Sequence, residues 1–116
     1  MKNNLKILEE TFNIVYKYTK KDLVGTQLAA LLAVLNNEGI NMIELADYLD
    51  SPQGSLSRNI KKLSKFKNSK GEMDGFNLIE LRQDYENRRT YALYLSEKGR
   101  RLRADLNKKL KELNLI

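Results

Sequence analysis

The chain has 116 residues, 41% of them apolar and 31% charged, with 21 Lys+Arg against 15 Asp+Glu and a formal net charge of +6. That length accommodates one domain, residues 1–116, built around one core. There is no Cys, His or Trp, which excludes disulfides, thiol chemistry, Ser-His and Cys-His dyads and the usual zinc sites. No window approaches the roughly 18 apolar residues of a membrane helix. The opening MKNNLKILEE turns acidic before an apolar segment forms, so no secretory signal is expected. There is no G-x-x-x-x-G-K loop to cradle a phosphate and no clustered set of carboxylates for Mg²⁺. These exclusions leave a cytoplasmic protein that is not an enzyme, with no metal, no cofactor and no membrane partner.

Taken in chain order, Leu5, Leu8, Phe12 and Val15 recur at helical spacing, and residues 4–20 read as an amphipathic helix. Val24, Leu28, Leu31, Leu32 and Leu35 form a broader stripe on a second helix, which Asn36-Asn37-Glu38-Gly39 stops. A short third helix is expected over about 42–49, with Ile43, Ala46 and Leu49 inward. Asp50-Ser51-Pro52 breaks it, Ser51 being placed to cap the next helix and Pro52 to open its first turn. That fourth helix, about 52–66, carries Leu56, Ile60, Leu63 and Phe66 on one face. Residues 67–75 read as a polar loop. Segments 78–82 and 91–95 read as short strands joined by a charged tip at 83–90. Ser96 then caps a last helix whose Leu102, Leu106, Leu110 and Leu113 form a seam. The order is α-α-α-α-β-β-α: a mainly α unit with a small β-hairpin, in the α+β class.

Charge is distributed unevenly along this order. Residues 1–50 hold five basic and seven acidic side chains, whereas residues 51–70 hold Arg58, Lys61, Lys62, Lys65, Lys67 and Lys70 and no acid. On a helical wheel, Gly54, Arg58, Lys61 and Lys65 lie opposite the apolar face of the fourth helix, flanked by Ser55, Ser57 and Lys62. A short helix, a tight turn and a second, basic helix with small residues at its start make a helix-turn-helix pattern. Such a second helix fits the major groove of B-DNA, about 12 Å wide. Arg58 is the expected base reader, because its fork matches the O6 and N7 of guanine. Lys61, Lys62 and Lys65 are expected at phosphates. At the hairpin tip, Arg88 and Arg89 are placed to enter a minor groove, with Asp84 and its neighbouring acid expected to orient a guanidinium by a bidentate pair.

These residues resemble the winged helix-turn-helix proteins of the multiple antibiotic resistance regulator (MarR) family over about residues 24–104. Thr26-Gln27-Leu28 opens the helix before the motif, and Ile43-Glu44-Leu45-Ala46-Asp47-Tyr48-Leu49 matches the first motif helix. Gly54-Ser55-Leu56-Ser57-Arg58-Asn59-Ile60-Lys61-Lys62-Leu63 resembles the recognition helix and Asp84-Tyr85-Glu86-Asn87-Arg88-Arg89 the wing. Leu95-Ser96-Glu97-Lys98-Gly99 resembles the entry to the next helix. The resemblance implies a homodimeric regulator, more often a repressor, that binds pseudo-palindromic double-stranded DNA through the recognition helix and a wing arginine, Arg88 by position. It also implies that the terminal helices, about 4–20 and 97–114, serve dimerisation. The family wing usually carries an acid where Asn87 stands, and the 67–75 loop is longer than the family pattern. The leucine seam of the last helix suits either a second chain or the first helix of its own chain. Tyr16, Tyr18 and Tyr48 suit an effector pocket or the core, so the small-molecule effector stays unknown. A different class, a winged-helix module for protein partners in a replication or phage-encoded complex, also fits the apolar terminal seams.

Overall fold

A computed structural model describes residues 4–20, 23 and 25–113. Val24, assigned above to the second helix, and residue 114, the last expected in the terminal helix, lie outside the described residues. Five helices form: α1 (Asn4–Thr19), α2 (Gly25–Asn36), α3 (Met42–Tyr48), α4 (Gln53–Leu63) and α5 (Glu97–Glu112). The hairpin strands are β3 (Ile79–Gln83) and β4 (Tyr91–Leu95), antiparallel, with Ile79 opposite Leu95 and Gln83 opposite Tyr91. Between α4 and the hairpin, the expected loop contains two further two-residue strands, β1 (Phe66–Lys67) and β2 (Met73–Asp74), paired with each other.

The core gathers on α2. Leu31 and Val34 are fully buried there, in one cluster with Leu56, Ile60 and Leu63 of α4, Leu45 of α3, Leu93 and Leu95 of β4, and Leu102 of α5. Each such side chain contributes roughly 1.5–3 kcal/mol by leaving water. Within α3 the inward residues are Leu45 and Ala46, with Leu49 partly buried beside them, whereas Ile43, expected inward, is 39% exposed. A seven-residue helix spans only two turns, so two adjacent faces fit its apolar residues about equally, and packing on α4 selects one.

Two boundaries differ from expectation for nonlocal reasons. Helix α4 stops at Leu63, so Lys65 and Phe66 lie beyond it. The returning chain captures its last carbonyls: Phe76 N donates to Lys62 O at 2.9 Å and Leu78 N to Leu63 O at 2.8 Å. Ser64 is thereby held extended and bridges Ile79. At the other end, Ser51 does not cap α4. Asp50 adopts the left-handed conformation (φ 49°), and Ser51 N donates to Ala46 O while Asp50 N donates to Asp47 O, closing α3 in a Schellman motif. That leaves Pro52 at the N-cap of α4, without a side-chain cap bond. Ser96 does cap α5, its hydroxyl accepting from Gly99 N at 3.0 Å.

Helix α5 packs on α1 of its own chain, with Leu102 fully buried, Leu106 against the core edge and the Tyr18 hydroxyl donating to Asp105. The segment leaving α2 binds the outer edge of β4. Gly39 N donates to Leu93 O, Leu93 N to Ile40 O, and Leu95 N to the Glu38 carboxylate at 2.9 Å. Glu38 also meets Arg103 at 3.2 Å and Arg100 at 4.0 Å, both on α5. The Leu95 amide, then the two guanidinium groups, hold the Glu38 carboxyl below the usual glutamate range against an opposing effect of partial burial. Because the folded-state pKa is depressed, this stabilisation is present above the ordinary glutamate pKa and is lost as pH falls through the lower folded-state value. Thermal melts of Glu38→Gln and the unaltered chain are therefore expected to differ most near neutrality and to converge in acid. A gap in melting temperature that stays constant down to acid unfolding would contradict this assignment.

Candidate nucleic-acid interface

The outer face of α4 carries a compact unit at its N-terminal end. Arg58 folds back along the helix so that its Nη2 donates to Ser55 Oγ at 3.3 Å. Its other terminal nitrogen lies 3.9 Å from where a Cβ at Gly54 would stand. Helical side chains lean toward the N-terminus and meet residues three and four positions back, so Gly54, Ser55 and Arg58 form one surface. Gly54, Ser57 and Arg58 are exposed and Ser55 is half-buried. A side chain at Gly54 would start in van der Waals contact with the guanidinium.

The lysines divide three ways. Lys61 is exposed on α4, with its Nζ 5.0 Å from the Phe66 ring centroid. Lys62 is half-buried beside α4, its Nζ 3.8 Å from Asp74 Oδ1 and 5.8 Å from the Phe76 ring centroid, so its charge is already partly engaged. Lys65 is exposed past the helix end, and Lys67 and Lys70 lie on the β1–β2 hairpin. The acid-free run is thus not one helical stripe: Arg58, Lys61 and Lys62 belong to α4 and the other three to the connection that follows.

At the wing tip, Asp84 Oδ1 accepts from the amides of Glu86 (3.0 Å) and Asn87 (3.3 Å), and Asn87 Oδ1 accepts from Arg89 N at 3.3 Å. These bonds satisfy backbone donors that the hairpin ladder cannot reach. The expected bidentate pair between a wing acid and an arginine is absent: Arg88 and Arg89 are exposed and make no ion pair among the described residues. The Asp84 carboxylate takes other partners. Its Oδ2 accepts from Asn41 Nδ2 at 3.1 Å.

Asn41 escaped the reading of the sequence. It is the N-cap of α3 in a reciprocal capping box, its Oδ1 accepting from Glu44 N (2.8 Å) and its own N donating to Glu44 Oε1 (3.1 Å). The Asn41-x-x-Glu44 spacing carries that signal. The link to Asp84 has no counterpart in local sequence. Of the tyrosines expected in a pocket or the core, Tyr16 and Tyr48 are exposed, whereas Tyr18 is half-buried and packs against the core. A separate cleft of about 410 Å³ opens between α1, α2 and α5, with Leu32, Leu35, Leu106 and Leu110 on its walls and Arg103 at its rim. No group of three or more Asp or Glu side chains converges as a metal site among the described residues. No described helix is long and apolar enough to cross a membrane.

No protein-family model and no curated protein sequence matches the chain. Solved structures do. A MarR crystal structure superposes with a TM-score of 0.59 at 25% identity, over 93% of this chain and 72% of its own. A MarR transcriptional regulator from Methanosarcina mazei Go1 gives 0.60 at 24% identity, over 94% and 72%. The Staphylococcus aureus MepR–DNA complex gives 0.63 at 16% identity, over 94% and 82%. The fold is a MarR-like winged helix, with α3 and α4 as the helix-turn-helix and β3–β4 as the wing.

Proposed function

We propose that this chain is a sequence-specific, double-stranded DNA-binding transcription regulator of the cytoplasm, acting as a homodimer and as a repressor that occludes a promoter. The observation that carries the reading is the Gly54–Ser55–Arg58 surface, which presents an exposed guanidinium on the outer face of the second motif helix. In this reading α4 enters the major groove with Arg58 at a guanine and Gly54, Ser55 and Ser57 allowing close approach, while Lys61, Lys62 and Lys65 meet phosphates. Arg88 and Arg89 enter the adjacent minor groove from a tip that Asp84 and Asn87 shape. That a structural neighbour, MepR, was solved as a DNA complex supports the assignment.

Dimerisation is supported by α1, where Leu5, Leu8, Phe12 and Tyr16 are 74%, 54%, 52% and 52% exposed on the side away from the core. Four large apolar side chains along one helix are more than scattered surface residues. The terminal helices would join two copies of the single domain, residues 1–116, and set two recognition helices about 34–36 Å apart. The same stripe would equally receive a different protein, as in a winged-helix accessory module.

Selection from a random duplex library at physiological salt separates the two. The expected result is enrichment of an inverted repeat with half-sites about 10 bp apart. Its binding constant should fall with salt at a log–log slope of roughly −0.9 per neutralised phosphate. A pool without enrichment would remove the regulator reading and put the protein-partner module in its place.

A further inference from the structure

We infer that Asn41 is a positioning residue for the wing: its bond to Asp84 fixes the arginine-bearing tip relative to the recognition helix. The inference rests on the DNA-binding reading above and deepens it. Asp84 divides its two oxygens, one shaping the tip through the Glu86 and Asn87 amides and the other taking Asn41 Nδ2. The orientation of the Asn41 amide is set by its partners, because Oδ1 is committed to the Glu44 amide and only Nδ2 can face a carboxylate. Asn41 itself is 9% exposed and bridges Ala92, so it is anchored on the edge of β4 opposite β3.

From Asn41 the path to the DNA-facing helix is stiff. The residue caps α3, and the Schellman closure at Asp50 joins α3 to α4. A single hydrogen bond across 43 positions of sequence therefore ties the wing tip to the helix-turn-helix. The base of the hairpin is held by the core and by the run leaving α2, so the latch acts on the tip beyond Gln83 and Tyr91. With the latch in place, Arg88 is presented with its approach already ordered; without it, binding must order the tip at the moment of contact.

An exchange of the two side chains tests this. Asn41→Asp keeps a good N-cap, since Asp and Asn cap about equally, but sets a carboxylate against Asp84. Asp84→Asn alone sets amide against amide. Together they restore one donor facing one acceptor, with every other bond kept. Each single change is expected to weaken binding of the selected duplex about three- to tenfold, and the exchange to restore it to within about twofold. In an Arg88→Ala background, Asn41→Asp should cost less than in the unaltered chain, because only Arg89 is left for the tip to position, whereas a general loss of fold would cost as much. Amide hydrogen exchange in the protein without DNA gives a second reading: Glu86 and Asn87 should exchange faster in each single variant and recover in the double. The inference is overturned if the singles leave affinity and exchange unchanged, if the double fails to recover, or if the loss persists undiminished in the Arg88→Ala background. Failure of the unaltered chain to bind any duplex would instead remove the DNA-binding reading, and hydrogen exchange would still show whether the latch orders the tip.

Discussion

Arg58→Ala is expected to weaken binding to the preferred duplex by about ten- to a hundredfold, while barely changing affinity for duplexes altered at the base we propose Arg58 to read. A bidentate arginine–guanine pair discriminates by roughly 1–3 kcal/mol, and removing one partner erases the preference along with the affinity. Lys61→Ala serves as the internal comparison. Its ammonium stands beside the Phe66 ring and would meet phosphate, so every sequence should weaken alike and the salt slope should become shallower by about 0.9. Titrations of each variant against a preferred and a single-substituted duplex, at several salt concentrations, give both quantities. If Arg58→Ala weakened both duplexes equally, base reading would have to reside elsewhere on the helix.

Gly99→Ala is expected to destabilise the protein by about 1–3 kcal/mol, reversing the sign usual for this substitution. In an unencumbered helix, Ala in place of Gly stabilises by roughly 1 kcal/mol. At Gly99, however, the new Cβ would stand 2.2 Å from the Leu78 carbonyl oxygen and 3.3 Å from Leu95 Cβ. The obstacle is backbone, which cannot swing aside, and the amide of Gly99 is held by the Ser96 cap. Helix α5 would have to move off the base of the wing. Gly25→Ala, with nothing within 4 Å of its added Cβ, is the matching control and should be neutral or stabilising. Gly99→Ala should melt lower than the unaltered chain and Gly25→Ala no lower, and a rise for Gly99→Ala would mean that α5 slides on the hairpin at little cost.

How much of this was legible before the structure follows from the range of each interaction. The existence and order of the five helices, the β3–β4 hairpin and the Ser96 cap depend on periodicity and on signals within a few residues, and these match the expectation. The Gly54, Ser55 and Arg58 surface was visible for the same reason, since i, i+3 and i+4 spacing fixes which side chains meet on a helix. What escaped depends on distant partners. The end of α4 is set by residues 76 and 78 capturing the carbonyls of Lys62 and Leu63, so the wheel drawn through Lys65 and Phe66 ran past the true end. Ser51 looked like a cap but is occupied in closing α3. Asp84 is placed by local sequence to meet an arginine, but its carboxylate bonds the tip amides and Asn41, 43 positions away.

The strand-like run that leaves α2 has a consequence for how the molecule survives at high concentration. A protruding two-stranded ribbon offers two rows of backbone groups to which another chain could add, the usual seed of aggregation. Here residues 38–41 cover the outer edge of β4, and Ser64 occupies the start of β3. The rest of β3 alternates through Glu80 and Arg82, an exposed ion pair 3.2 Å apart, with the guanidinium also stacked 4.3 Å from the Tyr94 ring centroid. An incoming strand would have to align with a charged, twisted row of five residues at most. The edges of the ribbon are therefore largely closed to an added strand.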